Sequence, residues 1–199
     1  MPPTLILASS SVIRAHLLRN AGVIFETLPA RVDEEAIKAA LLAEGAKPRD
    51  VADALAEFKA RKVADKRPDA MVIGCDQVLN FRDQVLGKPE SPDHAKAQLR
   101  EMAGGTHHLL SAAVIYDAGQ PVWRHVGVVQ MHMRPLSDEF IDDYIARNWS
   151  SVCHSVGAYK LEEEGARLFT RVQGDYFTVL GLPLLDLLSY LTLKGILPT

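Results

Sequence analysis

The chain contains 199 residues, of which 48% are hydrophobic and 24% are charged, and its formal net charge at pH 7 is -3. This length can fill the core of one generous domain, and a pI of about 6.2 excludes a nucleic-acid coat or a membrane-surface protein. Two cysteines exclude a disulfide framework, and the histidines lack the paired spacing of structural zinc sites. We find no signal-peptide pattern and no apolar segment of ~20 residues, so we predict a cytoplasmic protein.

The first motif is a strand, a serine turn and a helix. Residues 4–8 form an apolar run typical of a short buried strand, and Ser9–Ser11 lead into a helix. Such a turn presents backbone N–H groups and hydroxyls at a helix N-terminus, which suits an anion, and Arg14 adds charge one turn further on. Three serines before a helix are also good helix caps, so a purely structural interpretation stays open.

The next candidate is an acidic cluster at the start of a helix. After a predicted strand over residues 23–28, Asp33–Glu35 open a helix, where the macrodipole favours acidic side chains in any case. One of these carboxylates can still serve as a ligand of a hard metal ion, which prefers oxygen atoms. A longer helix is predicted over residues 51–66, and it carries Lys59, a residue type that is usually solvated.

The chain is organised around the apolar, β-branched run of residues 72–79, which contains Asp76. Such a run predicts a buried strand, and α/β sheets place their chemistry at carboxylates near strand ends. Lys88 follows on a turn stiffened by Pro89, so a cation is available for a polyanionic ligand. We therefore predict Asp76 as the working carboxylate, although a lone aspartate after a strand is more often a cap or a turn former.

The second half of the chain changes its hydrophobic period. Residues 106–116 and 121–133 are predicted to be two long antiparallel strands joined by a hairpin turn. A helix is predicted over residues 137–147 and a strand over residues 177–180. A final apolar helix is predicted over residues 184–193, and we expect it to be buried.

The order of these elements predicts the fold class. Strands and helices alternate in the first half, and hairpins dominate the second, which is typical of a mixed α/β fold. We expect an elongated central β-sheet with flanking helices, one domain over residues 1–199, and a substrate cleft between two lobes.

Several motifs follow one another along the chain. They are Leu7–Ser11 with Arg14, Val32–Glu34, Lys59–Ala60, Gly74–Val78, Gly87–Pro89, Gly104 with His107, Gly157–Tyr159, and Gly174–Tyr176 with Gly181–Leu184. In this order and spacing they resemble the Maf family of nucleoside triphosphate pyrophosphatases over nearly the whole chain. The resemblance implies a Maf- and ITPase-like fold.

The resemblance also implies a reaction and the residues that perform it. The reaction is hydrolysis of a nucleoside triphosphate between its α- and β-phosphates, with Mg²⁺ or Mn²⁺ as the divalent cation. Asp76 matches the family's proton acceptor, and Glu34 and Asp76 match the carboxylates near the metal ion. The residues implied as substrate contacts are Ser9, Arg14, Lys59, Gln77, Lys88 and Glu162.

The chemistry of phosphoryl transfer agrees with these residue types. In-line attack at phosphorus needs a positioned water and neutralised oxygens, which carboxylates, a metal ion and lysines can provide. A carboxylate near a bound cation keeps a low pKa, so we favour metal ligation with water positioning for Asp76. A role as general base is the alternative, and the sequence does not separate the two.

Two departures from the family pattern bear on the choice of substrate. The first loop reads Ser11-Val12-Ile13-Arg14 where the family commonly has Ser-Pro-Arg-Arg, so a charge or a stacking surface is missing. Asp76-Gln77 together with Glu162 match the branch that acts on 7-methylguanosine triphosphate. A glutamate can accept hydrogen bonds from guanine N–H donors, although Glu163 replaces the glycine expected next to it.

Two functions of different classes remain open at this point. The first is a house-cleaning pyrophosphatase that removes modified triphosphates before polymerases use them, and the family resemblance adds a link to cell-division arrest. The second is a nucleotide-binding regulator that hydrolyses slowly and acts through a protein partner, because the altered first loop can spoil positioning more than binding. The resemblance implies a homodimer, and Trp123 can face either the core or a twin subunit. We expect no membrane and no stable nucleic-acid partner.

Overall fold

The computed structural model describes residues 3–198, and the chain divides into two compact units. The first unit comprises the residues up to Gln77, Leu110–Gly127 and the residues from Asp175 onwards. The second unit comprises Val78–Leu109 and Val128–Gly174. Within the described residues, no helix has the length and apolar character needed to cross a lipid bilayer.

The helices and strands alternate early in the chain and then give way to long strands. The strands are β1 (Thr4–Leu7), β2 (Glu26–Thr27), β3 (Ala70–Phe81), β4 (Gln84–Leu86), β5 (Thr106–Asp117), β6 (Gln120–Met133) and β7 (Phe169–Gln173). The α-helices are α1 (Val12–Asn20), α2 (Glu34–Ala43), α3 (Pro48–Ala64), α4 (Pro92–Met102), α5 (Asp138–Val152), α6 (Tyr176–Val179) and α7 (Leu184–Leu193). Two short 3-10 helices cover Val156–Ala158 and Glu164–Leu168.

The strands form one mixed sheet in the order β2-β1-β3-β5-β6-β7, and β4 pairs with β3. Strand β1 runs parallel to both β2 and β3, whereas β4 runs antiparallel to β3 and β7 antiparallel to β6. Ala118 and Gly119 both have positive φ between β5 and β6, which is typical of a two-residue hairpin turn and confirms the predicted hairpin. The predicted mixed α/β class is confirmed.

The core of the first unit lies on the face of the sheet that carries Cys75. Apolar side chains of β1, β3, β5, α1 and α7 meet there, and Leu18, Ile73, Leu182 and Leu187 are fully enclosed. A leucine or isoleucine contributes roughly 1.5–3 kcal/mol when it is fully buried, so this cluster stabilises the unit substantially.

Helix α3 packs on the opposite face of β3, at Gly74. A Cβ atom added to Gly74 would lie 2.2 Å from the Ala56 carbonyl oxygen and 2.5 Å from the Ala60 backbone nitrogen. Side chains two residues apart on a strand share a face, so Gly74 and Asp76 both face this helix. The missing side chain at Gly74 therefore lets the helix backbone approach the strand on the side that carries Asp76.

We expect Gly74→Ala to destabilise the fold by about 3 kcal/mol, because overpacking against a helix backbone cannot be relieved by a rotamer change. Gly22→Ala is the matched control. Gly22 has φ +73° and open space around it, so only backbone strain of about 1 kcal/mol is expected there. Urea unfolding of both variants measures the difference, and equal losses would contradict a close helix approach at Gly74.

Three predicted elements differ from the structure. The strand predicted over residues 177–180 is wrong, because the Asp175 carboxylate accepts hydrogen bonds from the backbone N–H groups of Phe177 and Thr178 and caps a short helix there instead. The strand predicted over residues 23–28 is reduced to β2, which pairs with β1 through two residues. Helix α7 is only partly buried, since Leu185 is 55% and Leu193 82% exposed.

Candidate active site

Asp76 lies within β3, beyond the end of its neighbour β1. The last residue of β3 that pairs with β1 is Ile73, opposite Leu7, and β3 itself continues to Phe81. Asp76 therefore occupies the carboxyl end of the parallel part of the sheet, where α/β folds place ligands, although it does not end its own strand. Its side chain is buried, with 5% of the residue exposed.

Lys59 of α3 connects Asp76 with a second carboxylate. Its Nζ atom lies 2.6 Å from Oδ1 of Asp76 and 2.8 Å from Oε1 of Glu34. Lys59 is 7% exposed, in contrast to the solvated position expected for a helical lysine. Burial of an ammonium group requires such charge partners, so the three side chains form one ionic cluster, in which Lys59 and Asp76 are buried and Glu34 is partly exposed.

The pKa of the Asp76 carboxyl is raised above its ordinary value because burial penalises the charged form, while the cations of Lys59 and Arg14 partly oppose this effect. A raised pKa makes a carboxylate a better proton acceptor near neutral pH, so both roles considered for Asp76 remain chemically available.

The ionic cluster has a charge and a donor set that suit a divalent cation. Two carboxylates and one ammonium leave a formal net charge of -1 on Glu34, Asp76 and Lys59. Among the described residues, no group of three His, Cys, Asp or Glu side chains converges to form a complete cage. Mg²⁺ is commonly held by one or two carboxylates plus substrate phosphates, and Glu34 and Asp76 fit that arrangement.

Ser9 and Arg14 lie next to the backbone of β3. Oγ of Ser9 accepts a hydrogen bond from the Ser11 N–H, and Oγ of Ser11 accepts one from the Arg14 N–H and caps α1. The Arg14 guanidinium donates to the Cys75 carbonyl at 3.1 Å and to the Gly181 carbonyl at 2.7 Å. The loop thus caps α1, and two Arg14 donors bind the protein backbone.

Val12 and Ile13, the two residues of the first loop that depart from the family pattern, lie in different environments. Val12 is 81% exposed, whereas Ile13 packs against the core of the first unit. The replacement of two family residues therefore leaves the helix cap and the Arg14 contacts in place.

Gln77 and Cys75 flank Asp76 and face the other side of the sheet. The Gln77 side-chain nitrogen lies 2.9 Å from Oγ of Ser111 and 2.9 Å from the Val179 carbonyl oxygen. Gln77 was predicted as a substrate contact, and its amide nitrogen is engaged within the protein. Burial raises the pKa of the Cys75 thiol to about 11.

The two remaining predicted contacts, Lys88 and Glu162, belong to the second unit. Lys88 is exposed after β4, on a turn where Gln98 donates to the Gly87 carbonyl. Glu162 is exposed and forms no hydrogen bond or ion pair with another described residue, whereas Glu163 binds Ser151 and Lys160.

The second unit contains a buried histidine that the sequence marked only as part of a motif. His107 is fully enclosed, its Nε2 atom lies 2.7 Å from the Tyr159 hydroxyl, and its Nδ1 atom has no partner among the described residues. Burial lowers the pKa of His107 from 6.5 to about 4. The neutral imidazole is therefore the form that the folded chain accommodates.

This histidine predicts a loss of stability in acid. Because the folded pKa is lower than the unfolded one, its contribution is complete above pH 6.5 and is lost as the pH falls towards 4. Between pH 8 and pH 5 the expected loss is about 2 kcal/mol from this group. Urea unfolding at both pH values should show that loss reduced in His107→Phe and unchanged in His16→Gln, a change at an exposed position of α1. Identical pH dependence of His107→Phe and the wild type would contradict the assignment.

Comparison with known proteins adds independent information. A family model described as Maf-like protein matches residues 4–193. Nucleoside triphosphate pyrophosphatases of Ruegeria pomeroyi and Roseobacter denitrificans are each 62% identical to the chain, over 199 and 198 residues, with 100% of each sequence covered. A 7-methyl-GTP pyrophosphatase of Brucella abortus is 48% identical over 191 residues, with 96% of both sequences covered.

Proposed function

The chain belongs to the Maf family, and on that basis we propose that it is a nucleoside triphosphate pyrophosphatase that cleaves between the α- and β-phosphates. The observation that carries the assignment to a site is the buried Lys59 ammonium held between Asp76 and Glu34. A buried carboxylate and a partly exposed one that share a cation suit phosphate chemistry, because they can hold a metal ion and still position a water.

In the proposed reaction, a water oxygen attacks the α-phosphorus and the bond from that phosphorus to the bridging oxygen breaks. Pyrophosphate leaves with the electron pair, and the nucleoside monophosphate remains. Asp76 orients the attacking water and accepts its proton. Lys59 keeps the Asp76 carboxylate oriented through its 2.6 Å contact and supplies positive charge near the phosphates.

We include a divalent cation, Mg²⁺ or Mn²⁺, as the proposed cofactor. When bound, it neutralises charge that develops on the phosphate oxygens. Glu34 and Asp76 would hold it, and the charge of -1 on their cluster with Lys59 supports this choice. Ser9 and Lys88 remain proposed phosphate contacts, in keeping with the polar loop and the exposed turn on which they lie.

We propose a 7-methylguanine nucleotide as the preferred substrate. The dipeptide Asp76-Gln77 and the exposed carboxylate of Glu162 support this choice, and a relative in Brucella abortus carries the name 7-methyl-GTP pyrophosphatase. Removal of such triphosphates would keep them from polymerases, and this role suits a cytoplasmic enzyme.

A homodimer is also proposed from the family resemblance, with the exposed Val122 and Leu185 as candidate contacts of the first unit. Trp123 is less suited to such a contact, because it stacks on Tyr190 at 5.4 Å between ring centroids.

The test is pyrophosphate release from a panel of canonical and modified nucleoside triphosphates, with Mg²⁺, with Mn²⁺ and with a chelator. We expect turnover that the chelator abolishes and that is highest with 7-methyl-GTP. Turnover of canonical triphosphates alone would refute the base preference while leaving the activity intact. Nucleotide binding without turnover of any substrate would refute the proposed pyrophosphatase activity and would favour a nucleotide-binding regulator. Light scattering coupled to gel filtration tests the homodimer separately.

A further inference from the structure

The two residues that flank Asp76 are tied to one segment of the chain, Thr178–Gly181, which we call the clamp segment. On one side, the Arg14 guanidinium joins the Cys75 carbonyl to the Gly181 carbonyl, at 3.1 and 2.7 Å. On the other side, the Gln77 amide nitrogen lies 3.1 Å from the Thr178 carbonyl oxygen and 2.9 Å from that of Val179. The residues before and after Asp76 are therefore anchored to the same short segment.

Ser111 of β5 completes this anchoring. Its side chain is fully enclosed, its hydroxyl donates to the Thr178 carbonyl at 2.7 Å, and it accepts from the Gln77 amide nitrogen at 2.9 Å. A hydroxyl has one hydrogen to donate, so the Thr178 bond uses it fully and leaves the oxygen to orient the amide. Ser111 thus fixes both the clamp segment and the Gln77 side chain.

The clamp segment is itself held in one conformation. Asp175 accepts from the Thr178 backbone N–H at 2.7 Å and from the Thr178 hydroxyl at 2.6 Å, which fixes the start of α6. At the other end, Gly181 has φ +94°, and a Cβ there would lie 3.1 Å from the Arg14 guanidinium. Contacts therefore hold the segment at both ends, so it can transmit a fixed position to its partners.

The geometry of the sheet gives these contacts a consequence for the reaction. Successive side chains of β3 point to opposite faces, so Asp76 faces α3 and Lys59 while Gln77 faces Ser111 and the clamp segment. On one face of the sheet, Lys59 contacts the Asp76 carboxylate directly. On the other face, the anchored residues Cys75 and Gln77 fix the position of the Asp76 backbone. A displacement of about 1 Å in a reacting group can cost up to about 100-fold in rate.

We propose that Ser111 is a positioning residue of the pyrophosphatase reaction: through Gln77 and the clamp segment it fixes the backbone around Asp76 and with it the direction of the carboxylate. On this basis Gln77 influences the reaction from the face of β3 opposite the Asp76 side chain, through the clamp segment. The proposal rests on the proposed function for its kinetic consequence, but the anchoring itself can be measured without any turnover.

The test compares Ser111→Ala with Ser189→Ala. Ser189 also donates its hydroxyl to a main-chain carbonyl, that of Leu185 at 2.8 Å, but it is exposed on α7. We expect Ser111→Ala to lower kcat for pyrophosphate release about 10-fold with KM changed less than about 2-fold, because a misdirected carboxylate affects the chemical step and not ground-state binding. Ser189→Ala should leave both constants unchanged.

A second measurement is independent of activity. Hydrogen–deuterium exchange of the peptide over residues 176–182 should become faster in Ser111→Ala and stay unchanged in Ser189→Ala. Faster exchange in Ser111→Ala together with a wild-type kcat would overturn the positioning role. A lower thermal stability of Ser111→Ala without any change in kcat would overturn it as well. If the wild type itself does not turn over, the proposed function fails, while unchanged exchange would refute the anchoring.

Gln77→Glu provides a further variant in case Ser111→Ala does not fold. It keeps the shape of the side chain but removes the N–H donors that reach the clamp segment. The same kcat-specific loss is expected, and the double variant with Ser111→Ala should lose little more than either single change. Additive losses would show that the two residues act separately and would overturn the proposal.

Discussion

Asp76→Asn is expected to abolish measurable turnover, with kcat for pyrophosphate release lowered about 1,000-fold, as is typical when a proton acceptor is removed. The amide keeps the size of the side chain but cannot accept the proton of the attacking water. It also removes one of the two carboxylates that pair with the buried Lys59 ammonium, so we expect a loss of stability that is smaller than in Lys59→Met, because Glu34 keeps its contact with Lys59. Pyrophosphate release with 7-methyl-GTP measures the effect.

The control for this change is Asp69→Asn. Asp69 pairs with Arg67 on the surface, where its side chain is 69% exposed, so activity should stay at the wild-type level. Retention of more than about a tenth of wild-type kcat in Asp76→Asn would exclude Asp76 as proton acceptor, since general bases contribute at least about 100-fold.

Lys59→Met is expected to lower kcat/KM by about 100-fold or more and to destabilise the fold by about 3 kcal/mol. Methionine fits the same space but leaves the Asp76 and Glu34 carboxylates without the cation between them. Because Asp76 is buried, the loss of the ammonium at 2.6 Å leaves the burial of its carboxylate uncompensated. Kinetics and urea unfolding of the same preparations measure the two effects.

Two further variants serve as controls for Lys59→Met. Lys62→Met removes an exposed lysine from the same helix, one that donates to the Arg31 carbonyl, and should change stability by less than about 0.5 kcal/mol. The double variant Lys59→Met with Asp76→Asn should be more stable than Lys59→Met alone, because it no longer buries an unpaired carboxylate. A double variant that is less stable than Lys59→Met would contradict the ionic cluster as the cause.

The sequence located Asp76 and the strand around it, because a β-branched run with a single carboxylate is a local signal. It did not predict that Lys59 is buried. The buried face of α3 repeats through Leu55, Lys59 and Val63, so the lysine occupies a core position four residues from each apolar neighbour. Much of that face is alanine, and alanines identify a buried helix face less clearly than a row of leucines does.

The parts that sequence reasoning missed depend on distant contacts. Ser111 lies 67 residues from Thr178, so nothing in the local pattern of β5 distinguishes it from any other buried serine. Residues Phe177–Leu180 have the composition of a strand, but the Asp175 cap outweighs that preference and starts α6. Lys88 and Glu162 lie on exposed segments, where local pattern fixes neither conformation nor contacts.

The enclosure of Cys75 has a practical consequence for labelling the protein. Only the thiolate reacts with maleimides and iodoacetamides, and the pKa of about 11 together with complete burial keeps Cys75 unreactive at neutral pH. Cys153 is partly accessible after α5 and is the other cysteine of the chain. A fluorophore or spin probe can therefore be attached at Cys153 of the natural sequence, without mutating the thiol next to Asp76.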